Sequence, residues 1–272
     1  MQVVDNLSAL DRAKFGPIAL VPTMGALHEG HARLIAQART LTDAVLVSIF
    51  VNPLQFENPS DLEKYPRTPE ADIEKAAQSG AGVLWRPKYE EVYPGRIALQ
   101  EVGAIASLYE GATRKGHFQG MLTVVRRLFD LVEPNWAIFG EKDFQQLFLV
   151  RRMVKDLELD IEIVAVPTVR ESNGLAISSR NVRLRPDDRQ AALVISRALA
   201  NASQMESIES MQNALDATLA SESEFKRDYA VIIDEEDFAL AKNDTKAKRA
   251  LIAGWVNGVR LIDNMPMIGL AR

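Results

Sequence analysis

The 272-residue sequence predicts an α/β protein in two parts, a parallel sheet with covering helices in residues 1–168 and a smaller α+β domain in residues 169–272. Three observations predict this. Apolar, β-branched runs alternate with helical segments as far as residue 166, the pattern of repeated βαβ units. Beyond Pro167 the order changes to helices followed by strands, as at a domain boundary placed within 168–175. Three early strands end in turns rich in glycine or polar residues, where an open parallel sheet gathers its ligand contacts.

Taken in order, residues 18–21 form a short buried strand and residues 32–38 a helix, joined by Pro22-Thr23-Met24-Gly25-Ala26-Leu27-His28-Glu29-Gly30-His31. Residues 44–51 are β-branched and nearly all apolar, as in a central parallel strand covered on both faces. Thr68 and Pro69 have the types of a helix cap and first helical residue, and that helix ends near Gly80. Residues 82–85 and 97–100 are expected as strands. Residues 117–132 place Met121, Val124, Val125, Leu128, Phe129 and Val132 at helical spacing, and Pro134 closes the helix. A strand at 136–139 leads through Gly140-Glu141-Lys142-Asp143 into a helix reaching about residue 157, and 161–166 is the next strand. Helices at 186–202 and 207–220 precede strands at 229–233, 249–253 and 259–262.

Lys plus Arg number 32 against 37 Asp plus Glu, a net charge of −5, which disfavours a broad nucleic-acid surface. With no cysteine, thiolate catalysis, disulfides and thiolate metal sites are excluded. Residues 1–6 lack the basic start and apolar stretch of a signal peptide, and no run of about 18 apolar residues is present. A soluble, cytoplasmic protein without a membrane partner is the expectation.

Two of the three histidines, His28 and His31, lie in the first turn. Free N–H groups and the positive dipole end at a helix start suit a phosphate. Gly25 and Gly30 match the glycine spacing of a P-loop, but His31-Ala32 replaces the Lys-Ser/Thr pair, and no Gly-x-Gly-x-x-Gly is found. Phosphate contact, structural histidines and a metal pair all fit this spacing. Asn52 and Gln55 follow the second strand as neutral donors and acceptors suited to a small hydroxy acid, or as an ordinary Asn-Pro turn. Lys142 adds positive charge at another helix start, with Asp143 able to accept a hydroxyl and Gln146 on the same side, or Glu141-Lys142-Asp143 is simply the solvated start of a capped helix. Ser178, Ser179 and Arg180 carry groups that clamp phosphate oxygens or merely form a polar linker. Arg114-Lys115-Gly116-His117 is a further basic stretch. Asp72 either helps hold magnesium or simply complements a helix dipole.

Together these segments resemble the pantoate–β-alanine ligase family from end to end. The resemblance rests on Pro22-Thr23-Met24-Gly25-x-Leu27-His28-x-Gly30-His31, Ser48-Ile49-Phe50-Val51-Asn52-Pro53-x-Gln55-Phe56 and Tyr65-Pro66-Arg67-Thr68. It continues through Gly116-His117-Phe118-x-Gly120, Phe139-Gly140-Glu141-Lys142-Asp143-x-Gln145-Gln146, Ser178-Ser179-Arg180-Asn181 and Arg260-Leu261-Ile262-Asp263-Asn264. The His-x-Gly-His element is also similar to that of the wider nucleotidyltransferase superfamily, including class I aminoacyl-tRNA synthetases.

The resemblance implies a Rossmann-like N-terminal domain binding ATP and pantoate, a C-terminal lid closing over ATP, and a homodimer. It implies that (R)-pantoate attacks Mg-ATP to give pantoyl adenylate and pyrophosphate, and that β-alanine then displaces AMP to give pantothenate. Met24, Gly25, Ala26, Leu27, His28, Glu29, Gly30 and His31 would form part of the ATP site, with His31, His28 and Lys142 catalytic. Gly140, Glu141, Lys142 and Asp143 would also bind ATP. Val169 would meet adenine through its backbone, and Ile177, Ser178, Ser179 and Arg180 would close on the phosphates. Gln55 and Gln146 would hold pantoate, with Gln55 also bordering the β-alanine path and Asn52 nearby, and Asp72 would be the candidate for Mg2+. A nucleotidyltransferase acting on a phosphorylated precursor is the alternative enzyme, disfavoured by the neutral Gln55 and Gln146. A non-catalytic nucleotide-binding protein is the third reading.

Overall fold

The computed structural model describes residues 1–10, 16–57 and 59–267, and the chain divides into two compact units, Met1–Pro167 and Thr168–Arg272. In the first unit the elements run β1 (Gln2–Val4), β2 (Ile18–Thr23), α1 (Glu29–Arg39), β3 (Ala44–Ile49), α2 (Pro59–Glu63), α3 (Pro69–Gln78) and β4 (Val83–Trp85). The short α4 (Tyr89–Val92) and α5 (Glu110–Thr113) precede α6 (His117–Val132), β5 (Trp136–Gly140), α7 (Phe144–Asp156) and β6 (Glu162–Val166). The six strands form one parallel sheet in the order β1-β4-β3-β2-β5-β6.

This order determines where a ligand can sit. From β2 the chain builds outward through β3 and β4, then returns to lay β5 on the other side of β2 and build outward to β6. The reversal between β2 and β5 is the switch point at which open α/β sheets leave a crevice at their carboxyl ends. The register widens it, because β2 matches β3 along all six residues but meets β5 only at Ala19 and Leu20. Pro22, which has no N–H to offer a ladder, lies beyond the last β2–β5 pair.

Helices α1 and α3 bury Ile35, Ala38 and Ala76 in one cluster with Val21, Val47, Leu84 and Ile138. Helix α6 buries Met121, Val125, Leu128 and Phe129, the stripe its spacing predicts, and the helix has the expected bounds. Two local expectations fail. Residues 97–100 form no strand. The Gln100 backbone bonds to α6 rather than to a strand, its N–H to Thr123 Oγ1 (2.9 Å) and its carbonyl to Gln119 Nε2 (3.4 Å). Residues 2–4, not anticipated as a strand, pair with β4.

The second unit comprises α8 (Pro186–Ser203), α9 (Ile208–Ala220) and an antiparallel sheet β7 (Phe225–Asp234), β8 (Lys248–Val256) and β9 (Val259–Pro266) in that order. The helices pack Ala192, Leu199, Met211 and Leu215 against Ile232, Ala250 and Ile252 of the sheet. Gly254 sits opposite a bulge in β7, where a Cβ would lie 2.4 Å from the Phe225 ring. Before α8, Arg170 makes a two-pronged ion pair with Asp263 of β9 (2.6 and 3.0 Å), fastening this stretch to the sheet.

Candidate active site

The turn after β2 is wound by two consecutive left-handed residues, Gly25 (φ 82°) and Ala26 (φ 50°). For alanine that conformation is unfavourable, so something must hold it. The buried Asp72 of α3 does: its carboxylate accepts the N–H groups of Ala26 (3.1 Å) and Leu27 (2.7 Å) and the hydroxyl of Thr68 (3.1 Å). Thr68 thus precedes its helix as expected, but its side chain makes no cap bond and serves Asp72 instead. At Gly25 a Cβ would stand 3.0 Å from Asp72 Oδ2 and 3.1 Å from Ile49 Cγ2, so glycine is required by both space and φ.

The turn delivers His28 as the N-cap of α1 and His31 three residues on. The imidazoles cap the helix reciprocally. Gly30 N–H donates to His28 Nδ1 (3.1 Å), and His28 N–H donates to His31 Nδ1 (3.2 Å). Because a backbone N–H can only donate, each Nδ1 must be the acceptor. Both neutral rings therefore carry their proton on Nε2. The ring centroids are 4.1 Å apart, and a Cβ on Gly30 would come within 2.9 Å of the His28 ring. Burial, and then the Lys142 charge, lowers the His28 pKa to about 4. Burial, and then His28 itself, lowers that of His31 to about 3. At neutral pH the pair offers two N–H donors without charge.

Lys142 and Asp143 act electrostatically on both histidines, so the turn after β5 lies beside the turn after β2, as the switch point requires. Gly140 is the extended residue before a short 3-10 turn of Glu141–Asp143, which leads into α7. Lys142 Nζ stands 3.8 Å from Asp143 Oδ2, with the lysine side chain only 16% exposed. Gln146 lies partly exposed in the first turn of α7. Its neighbour Gln145 is buried, donating to the carbonyls of Ile105 and Leu108 and accepting from Glu110 N–H, which makes it a loop support.

After β3 a short 3-10 turn, Pro53–Gln55, is capped by Asn52, whose Oδ1 accepts Leu54 N–H (3.3 Å). Asn52 is fully buried; its Nδ2 donates to Gly120 carbonyl (3.0 Å) and Gln55 Oε1 (3.2 Å). Gln55 Nε2 donates to the Met24 sulfur (2.9 Å), bringing the third turn to the first. Three members of this cluster were not on the sequence-derived site. Tyr93 donates its hydroxyl to Asn52 Oδ1 (2.9 Å). His117 donates from Nδ1 to Gln55 carbonyl (2.9 Å) and accepts Arg114 at Nε2 (3.0 Å). Gly120 lets α6 approach so closely that a Cβ would fall 2.0 Å from Leu54 carbonyl oxygen. The Gly116-His117-Phe118-x-Gly120 motif held the signal for the last two.

The remaining predicted residues belong to the second unit. Val169 carbonyl accepts Ile177 N–H (3.0 Å) and Arg170 bridges Ala176, forming a narrow loop. Ser178 caps a 3-10 turn, Ser179–Arg183, by accepting Arg180 N–H on its hydroxyl (3.3 Å). Asn181 is buried, and its side chain donates to Ala176 carbonyl (2.9 Å), tying that turn to the loop.

Residues 1–266 match the family model described as Pantoate-beta-alanine ligase. The chain belongs to that family. A pantothenate synthetase of Nocardioides sp. is 49% identical over 97% of this chain and 82% of its own length. The crystal structure of pantothenate synthetase from Thermus thermophilus is similar at TM-score 0.92 and 43% identity, covering 97% of this chain and 99% of that one. That of pantoate-beta-alanine ligase from Francisella tularensis, complexed with beta-gamma ATP and β-alanine, reaches TM-score 0.78 at 36% identity over 97% of each chain. Against this family background, the three turns at the carboxyl edge offer uncharged N–H donors, one lysine and neutral amides. Such a set can steady charge on phosphoryl oxygens and orient a small polar acid.

Magnesium fits less well. Both oxygens of the Asp72 carboxylate already accept hydrogen bonds from the loop, and no group of three or more His, Cys, Asp or Glu able to hold a metal occurs among the described residues. No helix among the described residues is long and apolar enough to cross a membrane.

Proposed function

We propose that these residues share out the ATP-dependent condensation of (R)-pantoate with β-alanine as follows. The pantoate carboxylate attacks the α-phosphorus of ATP, forming pantoyl adenylate and expelling pyrophosphate. The β-alanine amine then attacks the activated carbonyl, forming the amide of pantothenate and expelling AMP. His28 and His31 act as neutral donors, each presenting Nε2–H to phosphate oxygens, and Lys142 supplies the cation. With a pKa near 3, His31 serves by hydrogen bonding rather than by giving up a proton. The loop from Met24 to Leu27, Glu29 and Gly30 shapes the ATP site with Gly140 and Glu141, while Asp143 accepts the ribose hydroxyls.

Gln55 and Gln146 hold pantoate, with Asn52 behind Gln55. In the second unit, Val169 meets adenine through its backbone, and Ile177, Ser178, Ser179 and Arg180 close over the phosphates as a lid. We assign Asp72 to holding the loop, and leave Mg2+, if it accompanies ATP, to the nucleotide's own phosphates. A cytoplasmic homodimer completes the reading.

The observation that carries it is the reciprocal capping of α1, which leaves two uncharged N–H donors beside Lys142. Isotope exchange tests it. Labelled pyrophosphate should enter ATP when pantoate is present and β-alanine is not. Folded protein that shows no such exchange overturns the adenylate mechanism.

A further inference from the structure

The hydrogen bonds around Asn52 have a direction that backbone groups alone dictate. Leu54 N–H can only donate, so the Asn52 atom it meets is the oxygen; Gly120 carbonyl can only accept, so the opposite atom is the nitrogen. That nitrogen also faces Gln55, so the Gln55 atom it meets must be the carbonyl oxygen. The Gln55 amide nitrogen is thereby turned toward Met24, in the turn after β2. Tyr93 meets the Asn52 oxygen and so must donate its proton. The phenol is 4% exposed, burial pushes its pKa up, and its ring packs at 6.0 Å from Phe50 and 5.2 Å from Tyr89.

We propose that Tyr93 is a positioning residue for the acid substrate: its hydrogen bond steadies the Asn52 amide in the orientation that Leu54 N–H and Gly120 carbonyl dictate, and Asn52 in turn holds Gln55 with N–H, not carbonyl oxygen, facing that substrate. The proposal rests on Gln55 binding pantoate. An amide N–H attracts a carboxylate or hydroxyl oxygen, whereas the flipped amide would repel a carboxylate. Without the Tyr93 hydroxyl, Asn52 keeps only the long bond from Leu54 on its oxygen. The Asn52–Gln55 pair then loses one of the contacts that hold it in place, and the bonds to Leu54 and Gly120 alone resist rotation of the amides.

The test is a double-mutant cycle read as separate KM values for pantoate and ATP, with thermal melting as a control on folding. Tyr93→Phe keeps the ring packing, and it should raise KM for pantoate about 5- to 10-fold, the worth of one buried neutral hydrogen bond. The KM for ATP should stay within about two-fold, and adding the substitution to Gln55→Ala should move KM for pantoate less than about two-fold. Asn52→Asp reads the relay from its middle, placing an acceptor opposite Gln55 Oε1, and should raise KM for pantoate at least as far. The proposal is overturned if Tyr93→Phe leaves KM for pantoate unchanged, raises both KM values alike, or acts equally in the Gln55→Ala background. Gln55→Ala with a wild-type KM for pantoate instead removes Gln55 from the substrate site, and the function of the relay with it.

Discussion

The histidines at the head of α1 and the histidine at the head of α6 show how one residue type is set to opposite tasks. His28 and His31 meet backbone N–H groups through Nδ1, so their protons stand on Nε2 and point away from the helix they cap. His117 meets a backbone carbonyl through Nδ1 and an arginine through Nε2, so its proton stands on Nδ1 and is spent inside the protein. The preceding turns differ as well. Ahead of α1, left-handed Ala26 is held by the carboxylate of Asp72; ahead of α6, Gly116 (φ 74°) takes the left-handed conformation at little cost. The backbone partner of Nδ1 decides whether a ring can serve a ligand or only the fold.

Removing the outward-facing donors should have the largest effect. His31→Ala or Lys142→Ala should slow adenylate formation about 100-fold or more, as loss of a preorganised donor does, in a single-turnover burst measured before β-alanine is added. A burst of near-wild-type rate in both variants would erase the functional contrast with His117.

A smaller loss should follow Asp72→Asn. The new amide keeps one acceptor oxygen but places its NH2 against the N–H of Ala26 or of Leu27, costing about 1–3 kcal/mol of stability for a buried mismatch. Adenylation should slow as the His28 turn loosens, while the dependence of rate on magnesium concentration stays that of the parent. A magnesium requirement that rises sharply would make Asp72 a metal ligand after all.

Smallest is the effect of mild acid, because the pKa values of His28 and His31 are held at about 4 and about 3. Between pH 7 and 5.5 neither ring should gain a proton, so neither should depress adenylation there. Both folded-state pKa values lie below the ordinary value near 6.5, so the unfolded chain takes up protons first. The stability tied to these neutral rings is complete above pH 6.5, declines below it, and is lost as pH falls through about 4 for His28 and about 3 for His31. Nitrogen NMR of the imidazoles should find Nε2–H on His28 and His31, Nδ1–H on His117, and no titration of the first two near 6.5.

The fold was legible wherever the pattern is local. The apolar stripe of α6 and the runs of β2, β3 and β5 announce themselves within a dozen residues. Residues 97–100 misled because a strand needs a neighbour, which local alternation cannot reveal, and residues 2–4 escaped notice because their neighbour is 81 positions away. The site divides the same way. His28, His31, Gln55 and Lys142 stand out as polar residues in turns after strands, while the partners of Asp72 lie 45 and 46 residues upstream. Tyr93 lay 41 residues from Asn52 in a segment with no periodic signature, so no spacing rule could join them.

The clasp between Arg170 and Asp263 has a consequence for biosynthesis. It ties the loop beginning at Val169 to a strand made 93 residues later. A ribosome that has finished the parallel sheet has not yet made the carboxylate that anchors this loop. A nascent chain halted short of residue 263 would leave the arginine without this counter-ion, so the shape of the loop depends on translation having passed that residue.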